Sequence, residues 1–164
     1  MYKANDIVTY STHGVCRIIS VETRDFSGKP AEYCVLRPEN DSRNTFYVPT
    51  DNKNLTSQMH RVLSREELDE LIKAMPDEKF IWIEDDNLRK SEYEKILRSG
   101  NRQKLIQLIK TLYIHRKEKM SENRKLRSAD EHFLKDAETA LYEEFAYVLN
   151  IPKEQVLPYI QQHI

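Results

Sequence analysis

The chain has 164 residues, of which 32 % are charged, with a formal net charge of −1 and only three glycines. This length is enough to bury a hydrophobic core in one domain or in two small ones. No apolar run is long enough to span a bilayer, and the first residues lack the charged-then-apolar pattern of a secretion leader, so we expect a cytoplasmic protein without membrane contacts.

Motifs for catalysis and metal binding are missing from the sequence. It contains no glycine-rich phosphate loop, no GxSxG and no HExxH, and its five histidines are scattered singly. Cys16 and Cys34 stand in apolar patterns without CxxC spacing, which predicts small core residues rather than metal ligands or a disulfide framework. We therefore expect a protein that is not an enzyme and needs no cofactor.

Residues 1–55 predict a small antiparallel β domain. Turns that contain Gly14 and Gly28 separate segments in which apolar and polar residues alternate with a period of two. These segments cover residues 6–10, 15–21, 32–37 and 44–48. Four or five short strands in so few residues indicate a strongly bent antiparallel barrel.

Residues 56–164 predict an all-α domain of about five helices. Ser64 and Glu67 have the spacing of a capping box at the start of the first helix. Gly100 predicts the left-handed end of the second helix, and Asn101 predicts the N-cap of the third. The sequence therefore predicts an α+β protein in which a β domain precedes a helical one.

The fourth and fifth helices are predicted near the end of the chain. Ser128 and Glu131 have the spacing of a second capping box, which would open a long helix with a continuous apolar face. Pro152 precedes a short final helix, where its fixed φ suits the first turn.

Positive charge is concentrated in residues 88–127, which hold thirteen Lys and Arg against four Glu. Residues 62–87 and 128–164 are both acidic, with net charges of −6 and −5. A basic block of this kind is the usual footprint of a polyanion such as nucleic acid. An ordinary solvated helix surface is the alternative explanation.

Trp82 is the only tryptophan and stands in the apolar run Phe80-Ile81-Trp82-Ile83. Four consecutive apolar residues before a helix cannot all point inward, so one or two of them must face solvent. Trp82 is therefore either a core residue or an exposed aromatic that can wedge into a DNA minor groove or stack on a base.

Two groups of residues carry a family resemblance over nearly the whole chain. The first runs from Asp6, Val8 and Tyr10 to the His13-Gly14-Val15 turn, and the second combines Ser99-Gly100-Asn101 with the apolar pattern of residues 133–149. The chain resembles the CarD/CdnL family of bacterial RNA-polymerase-binding transcription regulators. Transcription-repair coupling factors share the first group, but the helicase motifs of those proteins are missing here.

The resemblance implies a Tudor-like β barrel over residues 1–55 that docks on the β subunit of RNA polymerase. Residues 56–164 would contact the minor groove and phosphates of promoter DNA with weak sequence specificity, near the upstream edge of the melted region, and stabilise the open complex. We expect a monomer that associates with the nucleoid through polymerase. The implied polymerase contacts are Arg24 and Tyr47, and the implied DNA contacts are Trp82, Arg89, Lys90 and Lys125.

Two other functions fit parts of the sequence. The basic segment could grip an acidic protein surface, which would make the chain a protein–protein adaptor rather than a DNA-binding protein. Small β barrels also bind RNA, but the exposed aromatic-glycine motifs of RNA-binding sheets are missing from the predicted strands. Binding to DNA, or the lack of it, separates the first two functions.

Overall fold

Five antiparallel strands and six α-helices make up the computed structural model, which describes residues 2–11 and 13–164. The strands are β1 Ile7–Tyr10, β2 Val15–Arg24, β3 Ala31–Pro38, β4 Phe46–Pro49 and β5 Met59–Arg61. The helices are α1 Lys53–Thr56, α2 Arg65–Ala74, α3 Asp86–Ser99, α4 Arg102–Ser121, α5 Ser128–Leu149 and α6 Val156–His163. The predicted α+β class, a β domain followed by helices, is confirmed.

The strands form one sheet in the order β4-β3-β2-β1-β5. Val8 lies opposite Cys16, and Cys34 lies opposite Val48, so these four side chains face one core together. A register shift between Ile18 and Ser20 marks a bulge that bends β2. Both cysteines are buried and free, as predicted, and burial raises the pKa of Cys16 to about 12, which keeps this thiol neutral.

No strand was predicted for the segment that forms β5. Residues 59–61 pair with β1, placing Met59 opposite Tyr10 and Arg61 opposite Val8, so the sheet continues past residue 55. Three residues are too few to show a period-two pattern, and the short helix α1 interrupts the chain between β4 and β5.

Local capping interactions fix the starts of α2, α3 and α4. Ser64 Oγ accepts a hydrogen bond from the Glu67 amide at 3.1 Å, and the Glu67 carboxylate accepts one from the Ser64 amide, so the predicted capping box is confirmed. Asp85 caps α3, and Asn101 caps α4 as predicted. Gly100, between the end of α3 and the start of α4, has a left-handed φ of 65°, which confirms the predicted helix end.

The predicted capping box at Ser128 is wrong. Arg127 occupies the N-cap position without a side-chain cap, and Ser128 already lies inside α5. Sequence patterns locate a helix start only to within a residue or two, and α5 begins one residue earlier than the capping pattern predicted. The carboxylate of Asp130 in the first turn does not cap the helix either, because it is paired with Arg89.

The helical core lies where α5 packs against α3 and α4. Its largest fully buried side chains are Leu68, Ile72, Tyr93, Leu108, Leu112, Leu134, Leu141 and Phe145. Within the described residues, no helix has the length and apolar character needed to cross a membrane. The core therefore serves to fix the mutual positions of α3, α4 and α5.

Glu144 on α5 connects the sheet to the helices. Its side chain is 2 % exposed and accepts a hydrogen bond from the Leu63 amide at 2.9 Å. Arg102, the first residue of α4, donates two hydrogen bonds to the same carboxylate and one to the Arg61 carbonyl. The chain leaving β5 is thereby held against α4 and α5.

A second contact between the two parts of the chain involves Gly14. Its φ is +79°, and a Cβ atom at this position would collide with the Glu143 side chain on α5. The positive φ favours glycine here, and any larger residue would also have to displace the Glu143 carboxylate.

Replacing Glu144 with Gln should lower the free energy of unfolding by about 3 kcal/mol, because Arg102 then keeps no anionic partner. Chemical denaturation measures this loss. The matched change Glu92→Gln breaks an exposed pair with Lys95 and should cost less than about 1 kcal/mol. Equal losses in the two variants would contradict a linking role for Glu144.

Candidate functional site

Trp82 is half-buried in the segment that leads into α3. Its indole stacks on the imidazole of His115 on α4, with ring centroids 3.8 Å apart and an interplanar angle of 27°. The guanidinium carbon of Arg89 lies 4.5 Å from the ring centroid, and the indole Nε1 donates a hydrogen bond to Glu84 at 3.0 Å. The residue thus lies between the two alternatives from the sequence, since it is neither fully buried nor free of contacts.

Arg89, one of the DNA contacts that the resemblance implied, is an interior residue with 4 % exposure. Its guanidinium makes two hydrogen bonds of 3.0 and 3.1 Å with the buried carboxylate of Asp130. It also donates to the carbonyl of Ile83 at 2.9 Å and contacts Asp86 at 2.8 Å. Arg89 therefore ties the Trp82 segment and α3 to α5.

Lys90 and Lys125, the other predicted basic contacts, are both exposed. Lys125 lies in the connection between α4 and α5, and this connection is held to the start of α3 by an ion pair between Arg127 and Asp86. The ion pair and the His115 stack bring the Trp82 segment beside both α4 and the connection.

A basic surface extends from His115 along the rest of α4 and into that connection. We define it by Arg116, Lys117, Lys119, Arg124, Lys125 and Arg127. Lys117, Arg124 and Lys125 are exposed to solvent. The concentration of Lys and Arg in the sequence was the signal that indicated this surface. The adjacent start of α3 is negatively charged, because it carries Glu84, Asp85 and Asp86.

On the sheet, Arg24 lies beside Tyr47, which belongs to a cluster of aromatic side chains. The Arg24 guanidinium is paired with Glu22 at 2.6 Å and lies 6.0 Å from the centre of the Tyr47 ring. Phe26, which is 59 % exposed, packs edge-on against both Tyr33 and Tyr47 at 5.1 Å. We call Phe26, Tyr33 and Tyr47 the aromatic face.

Phe26 and Tyr33 were not identified from the sequence as site residues. Tyr33 fitted the strand pattern, and nothing in that pattern tells which face of the strand is solvated. Phe26 offered a usable signal, because a large apolar residue in the polar turn Asp25-Phe26-Ser27-Gly28 has no core position to fill.

The second half of β2 has an open edge. β1 pairs with β2 only at Val15, Cys16 and Arg17, whereas residues 20–24 pair with β3 alone. Among the described residues, no other strand covers this side of residues 20–24. The open edge ends at Arg24, so it adjoins the aromatic face.

Neither surface has the features of a catalytic or metal centre. In the part of the chain that the structure describes, no three His, Cys, Asp or Glu side chains lie together so that they could hold a metal ion. An exposed aromatic face and a basic surface are instead features that proteins use to bind other macromolecules.

Comparison with known families agrees with this class. The CarD-like/TRCF RID domain model matches residues 2–63, and the CarD C-terminal domain model matches residues 70–161. The chain therefore belongs to the CarD-like family, a non-catalytic family of bacterial transcription regulators that interact with RNA polymerase. No curated protein matches the chain significantly.

Arg89 and Lys90 are adjacent in sequence but should behave differently when substituted. Arg89→Gln leaves the Asp130 carboxylate buried without its cation and should cost about 3–5 kcal/mol of unfolding free energy. Lys90→Gln changes an exposed side chain and should stay within about 0.5 kcal/mol of the wild type. Denaturant titrations of both proteins make the comparison.

Replacing both partners of the pair, as in Arg89→Leu with Asp130→Leu, should recover much of the loss because no unpaired charge is left inside. A wild-type stability for Arg89→Gln would show that the ion pair does not hold the Trp82 segment.

Proposed function

We propose that this protein bridges the β subunit of RNA polymerase and promoter DNA, and that it thereby stabilises the open complex. The sheet supplies the polymerase contact, and the helical part supplies the DNA contact. The observation that carries the proposal is the Trp82–His115 stack, because it brings an aromatic residue to the part of α4 where the basic surface begins. The proposed site of action is the bacterial cytoplasm, with the protein acting as a monomer.

The open edge of β2 and the aromatic face support polymerase docking. Unpaired backbone groups along residues 20–24 can accept a strand from a partner, which is a common mode of protein recognition. Phe26, two residues past the end of that edge, and Tyr47, which it contacts, offer large apolar contacts of the kind that dominate interface energies. Arg24, at the end of the edge, adds a charged group that can pair with a carboxylate of the partner.

Arg24→Glu should weaken binding to polymerase, because it replaces this cation with an anion beside Glu22. The dissociation constant, measured in solution by fluorescence anisotropy, should rise about tenfold or more, as for loss of a charge-assisted contact. Arg43→Glu is the matched control, since Arg43 is an exposed arginine in the β3–β4 connection. Equal affinities for all three proteins would exclude this face as the docking surface.

The basic surface supports contact with DNA phosphates. Lys and Arg side chains along a helix neutralise phosphates without reading bases, so binding by the free protein should be weak, sequence-independent and reduced by salt. The carboxylates of Glu84, Asp85 and Asp86 would repel phosphates. The DNA backbone should therefore follow α4 and the α4–α5 connection, including Lys125, rather than the start of α3.

Trp82 would then meet the duplex where the strands separate. Its half-buried ring leaves part of the indole accessible beside the basic surface. Apolar side chains inserted at a base step hold it partly unstacked, which costs a few kcal/mol per step. A protein that supplies this contact slows the collapse of the melted region. Whether a promoter is activated or repressed then depends on its own rate-limiting step.

Trp82→Ala should shorten the lifetime of the polymerase open complex severalfold, measured as the decay rate after addition of a competitor. Because the ring is only half-buried, the loss of folding stability should fall below the ~3–5 kcal/mol of a core aromatic. Phe80→Ala, which removes an exposed aromatic two residues earlier, is the control and should leave the decay unchanged.

A large stability loss together with unchanged decay would mean that Trp82 is structural only. If the wild-type protein binds neither duplex nor forked DNA, the basic surface serves an acidic protein partner instead.

A further inference from the structure

His115 makes an aromatic stack with Trp82, and this contact gives the histidine a role of its own beside the tryptophan. It lies on α4 directly before the basic surface, and its ring is 3.8 Å from the indole, close to parallel. Trp82 itself lies in a segment without helix or strand, held by Arg89 and Glu84. Of these contacts, only the His115 stack ties the indole directly to α4.

We propose that His115 is the positioning residue for Trp82, and that its neutral imidazole holds the indole on α4 at the edge of the basic surface. Stacked aromatic pairs are stabilised beyond the area that they bury. Without the ring, the indole keeps Arg89 and Glu84 but loses the contact that sets its orientation relative to α4.

Burial is the largest effect that favours the neutral form of His115, while the Glu118 carboxylate, 3.8 Å from its Nδ1, favours the protonated form. Burial lowers the pKa of His115, and Lys119 on the same helix lowers it further, against the opposing effects of Glu118 and of Asp130 on α5. Arg89 on α3 is a second nearby cation, and the Asp130 carboxylate is already paired with it. A proton on His115 therefore puts charge on a ring that burial disfavours charging, beside the two cations Lys119 and Arg89.

Acidification should loosen the stack for this reason. The pKa of His115 is lower in the folded protein than in the unfolded chain, so the unfolded chain binds the proton first as the pH falls. The stability that the neutral ring contributes is complete above the ordinary histidine pKa. It is lost progressively as the pH falls from that value through the folded one.

The single tryptophan makes the inference directly measurable, because all indole fluorescence comes from Trp82. Acrylamide quenching of this fluorescence reports how much of the ring solvent can reach. The experiment compares the wild type with His115→Gln, which removes the ring, and with His115→Phe, which keeps an aromatic ring without a titratable group. His132→Ala changes an exposed histidine on α5 and serves as the control.

At neutral pH, His115→Gln should raise the quenching constant about twofold or more, in line with a 2- to 12-fold effect for an aromatic pair of roughly 0.5–1.5 kcal/mol. His115→Phe and His132→Ala should keep the wild-type value. As the pH falls below the histidine range, quenching should increase in the wild type and stay constant in His115→Phe. Equal quenching in wild type and His115→Gln, or a wild-type signal independent of pH, would overturn the inference.

The functional consequence rests on the proposed DNA contact, but the fluorescence experiment uses neither DNA nor polymerase. If His115 acts through Trp82, His115→Gln should speed open-complex decay in the wild-type background and have no further effect when Trp82 is Ala. Additive effects of the two changes would contradict action through the indole. If the decay rate is unchanged in both His115→Gln and Trp82→Ala, Trp82 does not act on the melted DNA. The positioning role of His115 is then decided by the fluorescence experiment alone.

Discussion

The buried ion pair between Arg89 on α3 and Asp130 on α5 is the interaction on which the candidate DNA-contacting site depends. A guanidinium removed from water needs several partners, and this one has both carboxylate oxygens of Asp130, the Ile83 carbonyl and Asp86. Those partners come from three places in the chain. One group therefore fixes the segment before α3, the first turn of α3 and the start of α5, and it also lies against the indole of Trp82.

A second buried pair extends the same rigid frame to the sheet. Arg102 and Glu144 connect α4 and α5 to the chain leaving β5, so the aromatic face and the basic surface belong to parts of the protein that are physically connected. A bridging protein needs such a connection, because a flexible joint would let either partner move without holding the other. The two ion pairs thus supply the mechanical basis for the proposed link between polymerase and DNA.

Most features with local causes could be predicted from the sequence, with the start of α5 as the exception, whereas those with distant partners could not. The caps at Ser64 and Asn101 and the stop at Gly100 depend on neighbouring residues, and all three were predicted. The role of Arg89 depends on an aspartate 41 residues away, so charge pattern and family resemblance both placed it on the DNA. Likewise, the stack beneath Trp82 joins residues on separate elements, and no periodicity indicates it.

The central claim is that the protein touches polymerase and the upstream edge of the melted DNA at the same time. Footprinting of a polymerase open complex with and without the protein tests this claim most directly. A protein that bridges the two should add protection of the DNA at that edge and give a longer-lived melted region. Binding to polymerase with an unchanged DNA footprint would contradict it, because the basic surface and Trp82 would then have no DNA partner in the complex.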